Sequence, residues 1–245
     1  MAGRDIALAA LLVSFAAAPV AAACVSEGAM EVPGLRADGP LGLAGQDGRR
    51  FRLVALQGDA TPEPVAGLKL AALGPPNRHG RIPAQGFVGE EPFETSLLSA
   101  GLARLTPTKQ LSRECWRRLE IAENVAVAGR LGLWARPEAI ISASDAATLR
   151  GADGRFSVIQ GRVSSVRTQG RITYVNFGPP NSGALTVTIL ERDMAAFRES
   201  GLEPAAIRGQ ILRVRGVVMI RRGPTVAAAI PEALTIAETP ARGAR

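Results

Sequence analysis

Apolar residues recur at helical spacing in the stretch that leads to Leu131–Trp134. The face they form consists of Cys115, Leu119, Ala122 and Ala126, with Trp116 and Leu131 beside it. Thr108 and Ser112 are both candidate N-caps, and Gly129 and Gly132 are signals for the end of a helix. The pattern therefore predicts one long helix packed against a core.

Shorter segments upstream of this helix alternate apolar and polar residues, as half-buried β-strands do. Residues 35–56 predict two strands joined by a turn at Gln46-Asp47-Gly48, and Asp-Gly is a strong hairpin signal. Another strand is predicted at Leu68–Leu73, and the chain returns along Ile82–Val88. We therefore expect five short strands followed by a pair of helices.

The second half of the chain predicts three strands, a helix and two more strands. The strands are expected at 156–163, 171–177, 184–190, 211–218 and 225–230, and the helix at 193–200. Gly161 and Gly216 fall where a small barrel bends its strands. This order resembles that of OB-fold nucleic-acid-binding domains and implies a five-stranded barrel. We expect this domain at 154–238, after a linker at 137–153 and before a disordered tail at 239–245.

Residues 1–23 have the composition of a secretory signal peptide. Arg4 precedes an apolar core, Ile6–Ala18, and Ala21-Ala22-Ala23 supplies a cleavage site. No later stretch is apolar for long enough to span a bilayer. We therefore expect a soluble, exported protein, in the periplasm or outside the cell, whose first domain covers 24–136.

The chain has two cysteines, Cys24 and Cys115. In an exported protein such a pair favours one disulfide, here between the new N-terminus and the long helix. The alternative is a lipid anchor at Cys24, as in bacterial lipoproteins. Ala21 stands where such signals usually carry a larger apolar residue, which favours the disulfide.

The formal net charge is +7, and nearly all of the basic residues are arginine. Residues 151–245 carry 13 basic and 7 acidic side chains, so most of the excess lies there. This favours an anionic partner such as single-stranded nucleic acid, the alternative being a basic surface without a specific partner. The candidate nucleic-acid-binding residues are Tyr174, Arg162, Arg171, Arg213 and Arg215. Phe177 lies three residues after Tyr174, so one of the two rings should face the core.

An ordered set of short segments resembles the thermonuclease (staphylococcal-nuclease-like) family over residues 29–136. The segments are Phe51-Arg52-Leu53, Arg78-His79-Gly80-Arg81, Gly101-Leu102-Ala103 and the long helix closed by Gly132-Leu133-Trp134. The resemblance implies an OB-type barrel with packed helices, followed here by the second OB-like barrel, so the fold class is mainly β with helices (α+β). It also implies Ca²⁺-dependent phosphodiester hydrolysis, in which Arg52 and Arg81 match the two phosphate-binding arginines.

The carboxylates of that family are only partly present. Pro40 replaces its second metal-binding aspartate, and its threonine-proline-glutamate run ends here at Glu63, four residues late. Either Asp38 and Asp59 bind the metal, with Glu63 near the attacking water, or the metal site is lost. We expect that the metal site is lost, and therefore that the protein binds no cofactor.

The sequence leaves three functions open. The favoured one is an exported nucleic-acid- or phosphate-binding protein of thermonuclease-like ancestry with a degenerate catalytic site. The first alternative is an active Ca²⁺-dependent phosphodiesterase. The second is a structural or partner-binding protein of the cell envelope.

Overall fold

The computed structural model describes residue 24 and residues 26–237. The predicted signal peptide, 1–23, and the predicted tail, 239–245, lie outside the described residues. Within the described part the chain is a mixed α+β protein in which β-sheets predominate, as the sequence predicts. Each half of the chain has its own buried apolar core.

The strands of the first half form one large sheet and one small pair. They are β1 (Met30–Glu31), β2 (Arg36–Ala37), β3 (Gly42–Ala44), β4 (Arg50–Leu53), β5 (Leu56–Gln57), β6 (Leu68–Ala72), β7 (Arg81–Val88), β8 (Glu91–Pro92) and β9 (Arg104–Leu105). The sheet has the order β1-β6-β7-β4-β3-β2, with β8 paired to β7, and β5 pairs with β9. Strands β4 and β7 run parallel, and the other pairs are antiparallel. The two strands predicted after the hairpin are confirmed as β6 and β7.

The predicted hairpin turn joins β3 to β4. Gly48 has a φ of 82°, a region that favours glycine. The Asp47 carboxylate accepts a hydrogen bond from the backbone N–H of Arg49 at 3.0 Å. Beyond the turn, Phe51 and Leu53 are buried, so the intervening residue of β4 points out of the core.

Two helices follow the large sheet, α1 (Phe93–Ser99) and α2 (Arg113–Gly129). Of the two candidate N-caps of α2, Ser112 is the cap, since its hydroxyl accepts a hydrogen bond from the backbone N–H of Cys115. The predicted buried face is confirmed at Cys115, Trp116, Leu119 and Ala126. Among the helices of residues 26–237, none is both long and apolar enough to cross a membrane.

Two glycines in close contact fix the segment that follows α2. Gly101 and Gly132 have φ values of 68° and 51°. A Cβ at Gly101 would lie 2.2 Å from the carbonyl oxygen of Leu131, and one at Gly132 would lie 2.3 Å from that of Gly101. Neither position has room for a side chain, which explains why glycine precedes and follows the long helix.

Cys24 and Cys115 form a disulfide that ties the start of the described chain to α2. Both cysteines are buried, and the side-chain amide of Gln85 donates a hydrogen bond to Cys115 Sγ at 3.1 Å. The bond uses the sulfur that a lipid anchor at Cys24 would require. The disulfide prediction is confirmed in place of the anchor.

The second half contains two sheets and three helices. Its strands are β10 (Ile141–Ser142), β11 (Phe156–Arg162), β12 (Ser165–Gln169), β13 (Ile172–Asn176), β14 (Thr186–Leu190), β15 (Ile211–Val217), β16 (Met219–Ile220), β17 (Pro224–Ala227) and β18 (Leu234–Ile236). Its helices are α3 (Ala146–Gly151), α4 (Glu191–Glu199) and α5 (Pro204–Ile207). The sheet orders are β10-β11-β15-β18 and β12-β13-β14-β17-β16. All the predicted elements are present, whereas β10, β12, β16 and α5 were not predicted.

Residues 137–153 are not the linker that the sequence predicted. Strand β10 pairs in parallel with β11, and α3 follows it. Four residues of the segment belong to the core of the second half, namely Ile141, Ala143, Leu149 and Ala152. The second structural unit therefore begins near residue 140 rather than at residue 154.

Helix α2 lies at the junction of the two halves and contacts both. Arg215 on β15 is 1% exposed, and its guanidinium contacts Glu123 Oε2 at 2.5 Å and Glu120 Oε1 at 3.2 Å. Arg213 Nη1 donates to Asn124 Oδ1 at 2.7 Å. These two arginines were predicted to bind nucleic acid. The prediction does not fit their positions, because both are committed to contacts that join the halves.

Candidate nucleic-acid interface

A cleft of about 690 Å³ lies over one face of the sheet β12-β13-β14-β17-β16. The floor residues alternate along β13 and β14 with Val175 and Val187, which are buried, so the floor is the outward face of the sheet. The floor side chains are Ser165, Tyr174, Asn176, Thr186, Thr188 and Thr225. They offer hydroxyl groups, one amide and one aromatic ring.

Strand pairing arranges the floor residues and Arg167 in two rows. The first row is Ser165, Asn176, Thr186 and Thr225, and the second is Arg167, Tyr174 and Thr188. In the first row, Asn176 Nδ2 donates to Ser165 Oγ and Thr186 Oγ1 donates to Asn176 Oδ1, both at 3.2 Å. The amide is thereby held in one orientation across three strands.

Four arginines line the rim of the cleft. Arg150 comes from α3, Arg167 from β12, and Arg221 and Arg222 from the turn between β16 and β17. All four are exposed, and among the described residues that line the cleft none is Asp or Glu. The cleft therefore has a positive potential that favours an anionic ligand.

Of the five residues predicted to bind nucleic acid, the structure places Tyr174 in the cleft. Phe177 is buried, which confirms that one of the two aromatic rings faces the core. Arg162 donates to the carbonyl oxygen of Gly209 at 2.6 Å, and Arg171 lies in the turn between β12 and β13. Neither of these two arginines lines the cleft.

The candidate residues chosen from the sequence include none of the four cleft arginines. A signal existed for Arg221 and Arg222, since they lie between the strands predicted at 211–218 and 225–230, and loops that join such elements often carry ligand contacts. Arg150 had no such signal, because it lies in the segment interpreted as a linker. Arg150 reaches the cleft because α3 packs beside Gly183. The guanidinium of Arg150 lies next to that glycine.

The two arginines of the thermonuclease resemblance lie near each other in the first half. In the parallel pairing of β4 with β7, Arg50 is opposite Arg81 and Arg52 is opposite Pro83, so the three arginines share the outer face. Burial lowers the pKa of Arg52, and the charge of Arg81 lowers it further. The guanidinium of Arg52 donates to the carbonyl oxygen of Pro40.

The carboxylates of the Ca²⁺-dependent alternative lie in two segments of the first half. Asp38 accepts two hydrogen bonds from Arg50, at 2.8 and 3.1 Å, and this contact holds the pKa of Asp38 below its usual value. Asp59 and Glu63 are exposed in the segment between β5 and β6. Within the part of the chain that the structure describes, no group of three or more His, Cys, Asp or Glu residues is placed to hold a metal ion.

Comparison with known proteins does not establish a family for this chain. No family model matches it, and no curated protein matches it. Among solved structures it is similar to OBody AM1L10 bound to hen egg-white lysozyme, at 18% identity over 42% of this chain and 98% of that chain, with a TM-score of 0.31.

Proposed function

We propose that this chain is an exported protein that binds single-stranded nucleic acid in the cleft of its second half. The observation that carries this function is the set of four arginines around a floor of hydroxyl, amide and tyrosine groups, without a carboxylate among the described lining residues. Sites for single-stranded nucleic acid combine a cationic groove with an aromatic ring on which a base stacks. Export is supported by the disulfide, since such bonds persist in oxidising compartments.

We also propose that both halves are OB-type barrels. In the second half, β11 and β12 serve as the first strand, β13 as the second, β14 as the third, β15 and β16 as the fourth, and β17 and β18 as the fifth. The third strand pairs in parallel with the fifth, and the fourth pairs with both the fifth and the first. The first half has an equivalent parallel pair in β4 and β7. This order supports two barrels of the OB type.

The first half contributes a second phosphate-binding surface under this proposal. Arg52 and Arg81 share one face with Arg50, which is paired with Asp38, and a guanidinium binds phosphate through paired N–H donors. Thermonuclease-like ancestry would account for Arg52 and Arg81. We propose binding rather than hydrolysis there, because Pro40 offers no side-chain oxygen and Asp38 is engaged by Arg50.

The test measures binding of a fluorescent oligothymidylate of about 20 nucleotides by anisotropy over a range of salt concentrations. Arg221→Ala combined with Arg222→Ala should weaken binding at low salt by about tenfold or more. It should also flatten the slope of log K against log salt by about 1.4, or about 0.7 for each phosphate that the protein no longer neutralises.

The matched control is Arg192→Ala combined with Arg208→Ala, two exposed arginines outside the cleft. This variant removes the same charge and should bind nearly as well as the wild type. An equal loss of affinity in both double variants would show that binding depends on general surface charge rather than on the cleft. Absence of binding by the wild type at low salt would refute the proposed function.

A further inference from the structure

The charged and neutral groups of the cleft occupy different places. Arg167 lies on β12, at one edge of the sheet, whereas Arg221 and Arg222 lie in the turn that precedes β17. Between them the floor is neutral and includes Tyr174 and the hydrogen-bonded row through Asn176. Three strand spacings separate β12 from β17, so the two charged groups lie on different parts of the cleft.

Resting on the proposed function, we infer that the cleft holds a segment of several nucleotides that crosses the strands from Arg167 to Arg221 and Arg222. From β12 to β17 the segment crosses three strand spacings of about 4.8 Å, or about 14 Å measured across the strands. It also runs along the strands, because Arg167 is level with Ala227 whereas the turn precedes Pro224. A stacked strand rises about 3.4 Å per nucleotide, so the crossing alone needs about four nucleotides.

One base of this segment stacks on Tyr174. Tyr174 is the only tyrosine of the chain, it lies on β13 directly opposite Arg167, and the nearby Phe177 is buried. The neighbouring bases and sugars meet hydroxyl and amide groups of the floor instead of aromatic rings. The stacked base therefore lies near the Arg167 end of the segment.

The experiment measures the affinity of the full chain for unlabelled oligothymidylates of about one to eight nucleotides by calorimetry at one low salt concentration. Affinity should rise about tenfold or more between two and four nucleotides, because the longer ligand engages both edges at once. From four to eight nucleotides it should rise less than about threefold. Arg167→Ala should abolish the rise in affinity between two and four nucleotides. The control Arg171→Ala, at a position outside the cleft, should keep this rise.

A second variant tests the stacked base. Tyr174→Ala should weaken binding of the four-nucleotide ligand between about 5-fold and 150-fold, and Tyr174→Phe should not. The same ligand without bases should bind wild type and Tyr174→Ala equally.

Several results would overturn this inference. One is equal affinity for two and eight nucleotides, and another is a length dependence that survives Arg167→Ala. A third is binding of a heparin-derived oligosaccharide as tightly as the four-nucleotide ligand, with no effect of Tyr174→Ala. In each case the binding of long oligonucleotides would still uphold the proposed function, which fails only if no oligonucleotide binds.

Discussion

Glu123 and Arg215 form a fully buried ion pair between the two halves, with Oε2 and Nη2 2.5 Å apart. Glu123 Oε1 accepts the backbone N–H of Leu105 at 2.7 Å, and Arg215 Nη1 also contacts Glu120 and Thr235. Burial of two charges is costly unless each has further hydrogen bonds, and both have them here. The pair therefore makes the junction specific for one arrangement of the halves.

Replacing Glu123 with Gln should destabilise the protein by about 3–5 kcal/mol, because Arg215 would remain buried without its nearest carboxylate. Urea unfolding at neutral pH measures this loss. The control is Arg117→Ala, which removes a contact to Glu114 between two side chains that are 62% and 65% exposed. That control should change stability by less than about 0.5 kcal/mol. A similar small effect of Glu123→Gln would contradict a structural role for the pair.

Glu94 should make the protein less stable at alkaline pH. Burial raises the pKa of Glu94 to about 8 from a usual value of 4.5, and its Oε2 has no hydrogen-bond partner among the described residues. The folded state keeps the proton that the unfolded chain releases, so this contribution to stability is complete below pH 4.5 and lost as pH rises to about 8.

Glu94→Gln should remove this loss. The variant should match the wild type in urea unfolding at about pH 4.5 and exceed it at about pH 9, by at most about 5 kcal/mol. Its carbonyl can still accept the backbone N–H of Gly86, which Glu94 accepts at 3.1 Å. Glu90→Gln, at an exposed position, serves as the control and should follow the wild type. If the stability of all three proteins changed with pH in the same way, Glu94 would be ruled out as the source of the loss of stability at alkaline pH.

The disulfide should leave no free thiol in the denatured, unreduced protein. It joins residues 91 positions apart. For such a loop the chain-entropy model gives a stabilisation of about 4–5 kcal/mol, usually an upper figure. Replacing both cysteines with alanine should therefore lower the free energy of unfolding by up to that amount. Detection of two reactive thiols by a colorimetric reagent would contradict the bridge.

The protein should not cleave DNA or RNA in a Ca²⁺-dependent manner. Metal-activated water and charge neutralisation each lower the barrier to phosphodiester hydrolysis by several kcal/mol, and Pro40 cannot replace a carboxylate ligand. The assay compares the wild type with Arg52→Ala, in Ca²⁺ and in chelator. Cleavage that requires Ca²⁺ and disappears in Arg52→Ala would show that Asp59 or Glu63 has taken over the metal.

Regular periodicity predicted the elements that bury one face. Most buried positions of helix α2 and strands β6, β7, β11 and β15 are apolar, and the exceptions are Gln85, Glu123, Ser157 and Arg215. Strand β12 was missed because Ser165–Gln169 is mostly polar, and Val166 alone packs partly against the core. It is a strand because it pairs along its whole length with β13, which no local pattern reveals.

The candidate site was less predictable because it depends on contacts between distant parts of the chain. Arg215 alternates with apolar residues on β15 and was therefore expected to face solvent. Its burial depends on Glu123, 92 residues earlier, on a helix that covers this face of the strand. Conversely, Arg150 became part of the cleft through the packing of a segment interpreted as a linker.

Helix α2 contacts both halves of the chain, and this bears on the order in which the chain folds. The ribosome delivers Glu123 well before Arg215, and at about 5–20 residues per second the intervening 92 residues take about 5–18 s. Until β15 packs against α2, the carboxylate of Glu123 lacks its counter-ion. The final environment of this face of α2 therefore forms only when strand β15 is in place.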